Sequence, residues 1–187
     1  NQTDDKLKNL RGKPIISRDG GGESKMLLYD FKGQALNSSL QILDDATIID
    51  VNWNTNPTLN NTVYTTLMEY DALGRPIKHT DPGSNETRHI YNEAGLLNEV
   101  WMKPNGASDK QYVSNIDYNA KGQREAIWYG NGSKTKYTYH LKNYRLTRLK
   151  TTRIDALSQL IILQDLNYYY DAVGNITTIR DDAQDTI

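Results

Sequence analysis

Tyr70-Asp71-Ala72-Leu73-Gly74-Arg75-Pro76-Ile77 decides how the rest of the chain is read. Tyrosine favours a pleated, half-buried strand, because its ring packs on cross-strand neighbours while its hydroxyl stays wet or bonded. The aspartate after it bonds backbone groups two residues on and so starts a turn. Glycine four positions past the tyrosine supplies the positive φ that a short hairpin loop needs near its end. Arg75-Pro76-Ile77 then resumes β-type sequence. The stretch reads as strand, tight turn, strand.

Five more copies lie along the chain. They are Tyr29-Asp30-Phe31-Lys32-Gly33, Tyr91-Asn92-Glu93-Ala94-Gly95, Tyr118-Asn119-Ala120-Lys121-Gly122, Tyr139-His140-Leu141-Lys142-Asn143 and Tyr170-Asp171-Ala172-Val173-Gly174. Recurrence at this period marks a repeat architecture. The tyrosines stand 41, 21, 27, 21 and 31 residues apart, and the shortest gap accommodates two ordinary strands with their turns. The longer gaps hold insertions, at 44–61 and 104–110. In the fifth copy Asn143 replaces glycine, and Tyr144-Arg145-Leu146 suggests a turn one residue longer. Asparagine tolerates the left-handed region, so Asn143 is expected to keep the glycine's role.

The fold class that follows is all-β, a succession of antiparallel hairpins over residues 10–187, preceded by a frayed polar segment, 1–9. Leu10 to Ile16 reads as the back half of a further repeat. Thr62 to Tyr70 alternates, with Tyr64, Thr66, Met68 and Tyr70 on one face. Gln123 to His140 is the clearest hairpin, turning at Gly130-Asn131-Gly132. Leu36–Leu43 suits a strand or a helical turn, Ile154–Gln159 suits a short helical connector, and Leu160-Ile161-Ile162-Leu163 suits a strand buried on both faces. Apolar residues three apart (Leu97/Val100, Leu146/Leu149, Ile176/Ile179) break simple alternation and point to β-bulges or two-sided burial.

Composition narrows the function. Twenty-two basic and 23 acidic residues leave a net charge of −1, which gives no support to nucleic-acid or anionic-membrane binding. Thirteen tyrosines against one phenylalanine suit a sheet. Without cysteine there is neither a disulfide framework nor a thiolate metal site. No apolar run reaches the length of a membrane span. The chain starts at Asn1 and reads as a fragment of something longer.

Candidates for chemistry are thin. His79, His89 and His140 sit in different repeats without ligand spacing. Asp44-Asp45 and Asp181-Asp182 are adjacent pairs, which point to opposite faces of a strand and suit solvated turns better than acid–base work. Asp19-Gly20-Gly21-Gly22 lacks the lysine and helix of a phosphate loop. The repeated Asp or Asn after tyrosine could form a calcium ladder, but Asn and His substitute in three copies, which capping tolerates better. Trp53, Trp101 and Trp128 could make a sugar platform, with packing as the default. Glycosylation patterns occur at Asn1, Asn37, Asn60, Asn85, Asn131 and Asn175. No nucleophile–base pair, cofactor site or metal site is expected.

Tyr70 to Ile77 and Tyr170-Asp171-Ala172-Val173-Gly174-Asn175-Ile176 resemble the YD repeats of the RHS (rearrangement hotspot) family, and the resemblance runs from about Leu10 to Asp182. Asn115 to Arg124 and Leu163 to Asp171 resemble, more specifically, large RHS proteins related to the Tc toxin B and C components. His140, Asn143, Asn92 and Asn119 depart from the pattern. The resemblance implies a curved or spiralling repeat sheet that forms part of a shell around a C-terminal toxin, in a secreted or cell-surface parent. It implies packing positions at Tyr29, Tyr70, Tyr91, Tyr118, Tyr139 and Tyr170, while Asp71 and Asp171, beside their turn glycines, read as capping groups from the residues themselves. Gly33, Gly74, Gly95, Gly122 and Gly174 become turn positions. Partners would be flanking repeats, the enclosed toxin domain and, through open sheet edges, other copies. The family's self-cleaving aspartates belong to a core motif that this sequence does not contain. A glycan- or receptor-binding module is the alternative, and a carbohydrate-active enzyme a weaker one.

Overall fold

The structure, a computed structural model, describes residues 2–184, with side chains from residue 5. After a short helix, α1 (Gln2–Leu7), come thirteen strands. They are β1 (Ile16–Arg18), β2 (Gly22–Tyr29), β3 (Ala35–Ile42), β4 (Tyr64–Tyr70), β5 (Pro76–Thr80), β6 (Glu86–Tyr91), β7 (Leu97–Lys103), β8 (Lys110–Tyr118), β9 (Arg124–Tyr129), β10 (Ser133–Tyr139), β11 (Leu146–Ile154), β12 (Leu160–Tyr170) and β13 (Ile176–Asp181). They follow chain order in one antiparallel sheet whose edge strands are β1 and β13. Sequential hairpins need no crossovers, which is what short turns between tyrosine-rich strands dictate.

The chain divides into two units, residues 1–88 with 103–108, and residues 89–102 with 109–187. In the first unit the segment expected to fray instead carries α1. The Tyr29 amide donates to the Lys8 carbonyl at 3.1 Å, and Leu10 is buried. The 44–61 insertion holds a 3-10 turn at Trp53–Thr55 and returns through a bridge between Leu43 and Leu59. Leu36 to Ile42 is strand, not helical turn.

The second unit corrects two expectations. Ile154–Gln159 is not helical: β11 and β12 are joined by a tight turn in which the Asp155 amide donates to the Gln159 carbonyl at 2.9 Å. Leu160–Leu163 is not buried on both faces, since Leu160, Ile162 and Leu163 are exposed. An apolar run cannot distinguish a doubly covered strand from one in a sheet with no second layer.

The three-residue intervals at Leu146/Leu149 and Ile176/Ile179 have one cause. Glu69 pairs with Lys78 but Tyr70 with Pro76, so Ile77 is an extra residue. The same slip makes Leu36, Thr147 and Thr177 extra opposite the steps into Tyr29, Tyr139 and Tyr170. Each lies three positions past the turn's left-handed residue. A bulge there inverts the alternation and returns Ile176 and Ile179 to one face.

Among the described residues no large side chain is fully buried; the buried apolar ones are Leu10, Tyr29, Leu43, Ile116, Ala126 and Ile127. Ladder bonds, cross-strand pairs and buried ion pairs therefore carry much of the cohesion. In the first unit Glu23, 6% exposed, takes Arg18 at 2.6 Å and Lys25 at 2.8 Å. In the second, Asp165, 3% exposed, takes the Arg148 guanidinium through two 2.5 Å bonds and Lys150 at 3.3 Å. These cations hold both carboxyls below the usual range, with Lys25 foremost at Glu23 and Arg148 at Asp165.

Candidate functional site

Each repeat turn is built by its Asp or Asn. Asp71 Oδ1 accepts from the amides of Leu73 and Arg75, both at 2.9 Å, while Oδ2 accepts from Arg75 Nε at 2.7 Å. The backbone closes around it, the Asp71 amide donating to the Arg75 carbonyl and the Gly74 amide to the Asp71 carbonyl. Asp30, Asn92, Asn119 and Asp171 repeat the bond to the amide four residues on, at 2.8–3.0 Å. Gly33, Gly74, Gly95, Gly122 and Gly174 all have positive φ. The Arg75 amide above all lowers the Asp71 carboxyl pKa, and the Asn175 side chain does so at Asp171. A carboxylate whose lone pairs are spent on turn amides is poorly placed to ligate calcium.

The fifth turn has the expected length but not the expected left-handed residue. It is one residue longer, closing between the His140 amide and the Arg145 carbonyl, but the left-handed residue is Tyr144 (φ 58°), not Asn143. His140 replaces the carboxylate weakly, Nδ1 accepting from Lys142 and Asn143 at 3.3 Å. The Asn143 side chain instead accepts from Arg145.

Two turns of the same design escaped the sequence reading because no tyrosine precedes them. Asp81 accepts from the Asn85 amide at 2.9 Å and Asp155 from the Gln159 amide at 2.8 Å. The left-handed residues there are Ser84 and Ser158. The Asp-x-x-Ser spacing was the available signal.

Between repeats the same two contacts recur. The tyrosine hydroxyl donates to the carbonyl two residues past the preceding left-handed position. Tyr29 reaches Pro14 at 2.7 Å, Tyr118 reaches Leu97 at 2.6 Å, Tyr139 reaches Arg124 at 2.9 Å and Tyr170 reaches Leu146 at 2.7 Å. The Pro14 contact follows Gly12 (φ 69°), which makes Leu10 to Ile16 the back half of a repeat. At several repeats the residue immediately after the left-handed position covers the next turn. Gln34 donates to the Gly74 carbonyl and Gln123 to the Tyr144 carbonyl, both at 2.9 Å. A Cβ on Gly174 would lie 2.8 Å from Arg145 Cζ, and one on Gly33 would lie 3.0 Å from Lys13 Cε. Both neighbours are the far ends of flexible side chains that can move aside, so the demand these turn glycines answer is positive φ.

The remaining candidates do not converge. His79 lies in β5 opposite Thr87, His89 in β6, and His140 in the fifth turn. Asp45 caps Thr47; Asp181 accepts from Asp165 and Ala183; Asp182 pairs with Arg180 at 2.6 Å. Asp19 closes its own glycine hairpin. Trp53 lies under Arg18, Trp101 donates to Glu99, and Trp128 lies under Lys134. No cluster of three or more metal-ligating side chains occurs among the described residues. An open depression of about 460 Å³ is lined by Lys110, Gln111, Tyr112, Tyr129, Gly130 and Asn131, with no carboxylate.

The RHS Repeat family model matches residues 70–100, the stretch containing the second and third turns. The chain carries RHS repeats. This RHS-repeat chain is 32% identical to Toxin subunit YenC2 of Yersinia entomophaga over its whole length, and 31% identical to Toxin subunit YenC1 over 97% of it. It spans only about a fifth of each relative (20% and 19%). Among solved structures it superposes on the TcdB2-TccC3-Cdc42 crystal structure with a TM-score of 0.84 at 34% identity, covering 96% of this chain and 8% of that one. The Tc holotoxin pore of Photorhabdus luminescens gives 0.83 at 33%, over 95% and 8%. The RHS-repeat chain is therefore a toxin-related repeat segment. No helix among the described residues is long and apolar enough to cross a membrane.

Proposed function

We propose that the chain is a structural wall segment of a secreted RHS-type toxin protein, contributing strands to a β-shell that encloses a C-terminal toxin domain, and that it has no catalysis of its own. The observation that carries this reading is the recurrent joint between repeats. Polar side chains at the turns are spent on closing one hairpin and latching it to the next, which serves continuity of a sheet rather than a concave reactive centre. The likeness to Tc toxin subunits supplies the setting. A wall of this kind works by pairing strand to strand, so that every backbone group inside it is satisfied and a protease meets no loose edge.

The test is proteolysis of the parent protein. The polypeptide C-terminal to the repeats is expected to resist protease in the intact parent and to become cleavable when the wall is opened by Gly130→Ala. Equal cleavage of that polypeptide in both proteins would refute enclosure.

A further inference from the structure

The chain has two Asn-Gly pairs, Asn105-Gly106 and Asn131-Gly132, each in the turn of a hairpin. Without a Cβ, the residue after an asparagine lets its own amide nitrogen approach the asparagine side-chain carbonyl closely. Exposure and backbone do not separate the two pairs. All four residues are exposed, the glycines have φ +72° and +81°, and a Cβ on either would meet nothing within 4 Å.

Hydrogen bonding does separate them. The β7–β8 turn is closed by the Ala107 amide, which donates to the Pro104 carbonyl at 3.0 Å and leaves Asn105 and Gly106 at the two central positions. The β9–β10 turn is closed by the Gly132 amide itself, donating to the Tyr129 carbonyl at 3.0 Å. Asn131 Oδ1 accepts from the Ser133 amide, also at 3.0 Å. At Asn131 both the attacking nitrogen and the side chain it would attack are therefore held. At Asn105 neither is, since the Gly106 amide and the Asn105 side chain have no hydrogen-bond partner among the described residues. The Asn105 amide, donating to Asn85 Oδ1 at 3.0 Å, anchors the backbone beside them.

We propose that Asn105 is a site of spontaneous deamidation and that the fold protects Asn131 from the same reaction. The Gly106 amide nitrogen bonds to Asn105 Cγ, and the side-chain nitrogen leaves as ammonia, taking the amide proton with it. Water opens the resulting succinimide at either carbonyl, giving aspartate or isoaspartate with no other reagent. Each event takes the formal net charge from −1 to −2. The isoaspartate product also adds a methylene to the main chain between Pro104 and Ala107, the two residues whose hydrogen bond closes the turn.

The test holds the full chain at mildly alkaline pH and follows both sites by peptide mapping. Trypsin separates them, because residues 125–134 carry Asn131 and residues 89–110 carry Asn105, Lys103 being followed by proline. Fragmentation distinguishes Asn105 from Asn92 and Asn98, and a cooperative urea transition in tryptophan fluorescence confirms the fold of the sample. Two hydrogen bonds must open before attack at Asn131, so its conversion is expected to be roughly tenfold slower than that of Asn105, or slower still. In urea the two rates are expected to converge. Asn105→Gln, whose longer side chain would have to close a larger ring, should stay unconverted. Equal rates in the folded chain, or no conversion at Asn105, would overturn the proposal. A difference that persists undiminished in urea would overturn the protection of Asn131 by the fold.

Discussion

Gly130 and Gly132 occupy one turn, yet substitution by alanine should affect them very differently. Gly132 has φ +81° and open space around a built Cβ. Its cost is the left-handed backbone alone, about 1–2 kcal/mol, offset by some 0.4–1 kcal/mol through a less flexible unfolded chain. Gly130 needs no positive φ, but its Cβ would stand 2.8 Å from the Gln111 carbonyl carbon and closer still to its oxygen. That neighbour is backbone of β8 and cannot rotate away. Relief requires β8 and β9 to part where the Gly130 amide donates to the Tyr112 carbonyl at 3.0 Å. Overpacking costs about 1–3 kcal/mol and an orphaned backbone group about 1–3 kcal/mol, so Gly130→Ala should lose roughly 3 kcal/mol or more. The gap between the variants, about 2 kcal/mol, is roughly thirtyfold in the unfolding constant. Urea titration followed by tryptophan fluorescence reads it directly. A Gly130→Ala midpoint equal to or above that of Gly132→Ala would refute the close-approach argument.

Three further outcomes follow from the same geometry. Tyr170→Phe removes the hydroxyl bonded to Leu146 and should cost about 1 kcal/mol, whereas Tyr169→Phe, at a half-exposed ring, should stay within about 0.5 kcal/mol; equal effects in urea would dismiss the tyrosine latch. Asp165→Asn should cost about 2 kcal/mol, below the range of about 3–5 kcal/mol for breaking a buried pair, because Arg148 and Lys150 are partly exposed and can rehydrate; a neutral result would remove the ion cluster from the account. The carboxyls of Glu23, Asp71, Asp81, Asp165 and Asp171 titrate lower in the fold than in the open chain. Their contribution is therefore complete above the unfolded pKa near 4 and fades as pH falls through the folded values. Urea midpoints should hold from pH 7 to about 5 and drop below about 4, and a decline that begins between 7 and 5 would contradict this.

The hairpins were legible because tyrosine, Asx and glycine each make a local demand that their neighbours do not override. Asp71 needs only the amides of Leu73 and Arg75, five residues of chain in all. What escaped was whatever depends on residues far apart in sequence. Sequence identifies Gly174 as a turn residue but says nothing of Arg145 lying across it. It marks Leu160–Leu163 as apolar, but the exposure of that run follows from the lack of a covering layer, which no local pattern encodes. The fifth turn failed for a local reason. Asn143 is the better left-handed residue by propensity, but the longer loop moves the reversal to Tyr144 and turns Asn143 into a cap.

A sheet with few buried side chains and many latches between successive hairpins distributes its stability along one dimension. Successive hairpins are joined by ladders, by the hydroxyl bonds of Tyr29, Tyr118, Tyr139 and Tyr170, and by side chains such as Gln34 and Gln123 that cover the next turn. Stability in such an array is close to a sum of repeat and nearest-neighbour contributions. A weak unit is then tolerated where its neighbours are strong. The fifth turn fits that logic. His140 replaces a carboxylate by two long 3.3 Å bonds, yet β10 and β11 on either side of it form a seven-pair ladder, and Arg145 and Gln123 tie the turn to both neighbouring repeats. Local stability measured by amide exchange should therefore dip at 140–145 without spreading into β10 or β11. A dip that spreads along both strands would mean that the turn itself, rather than its neighbours, holds the hairpin.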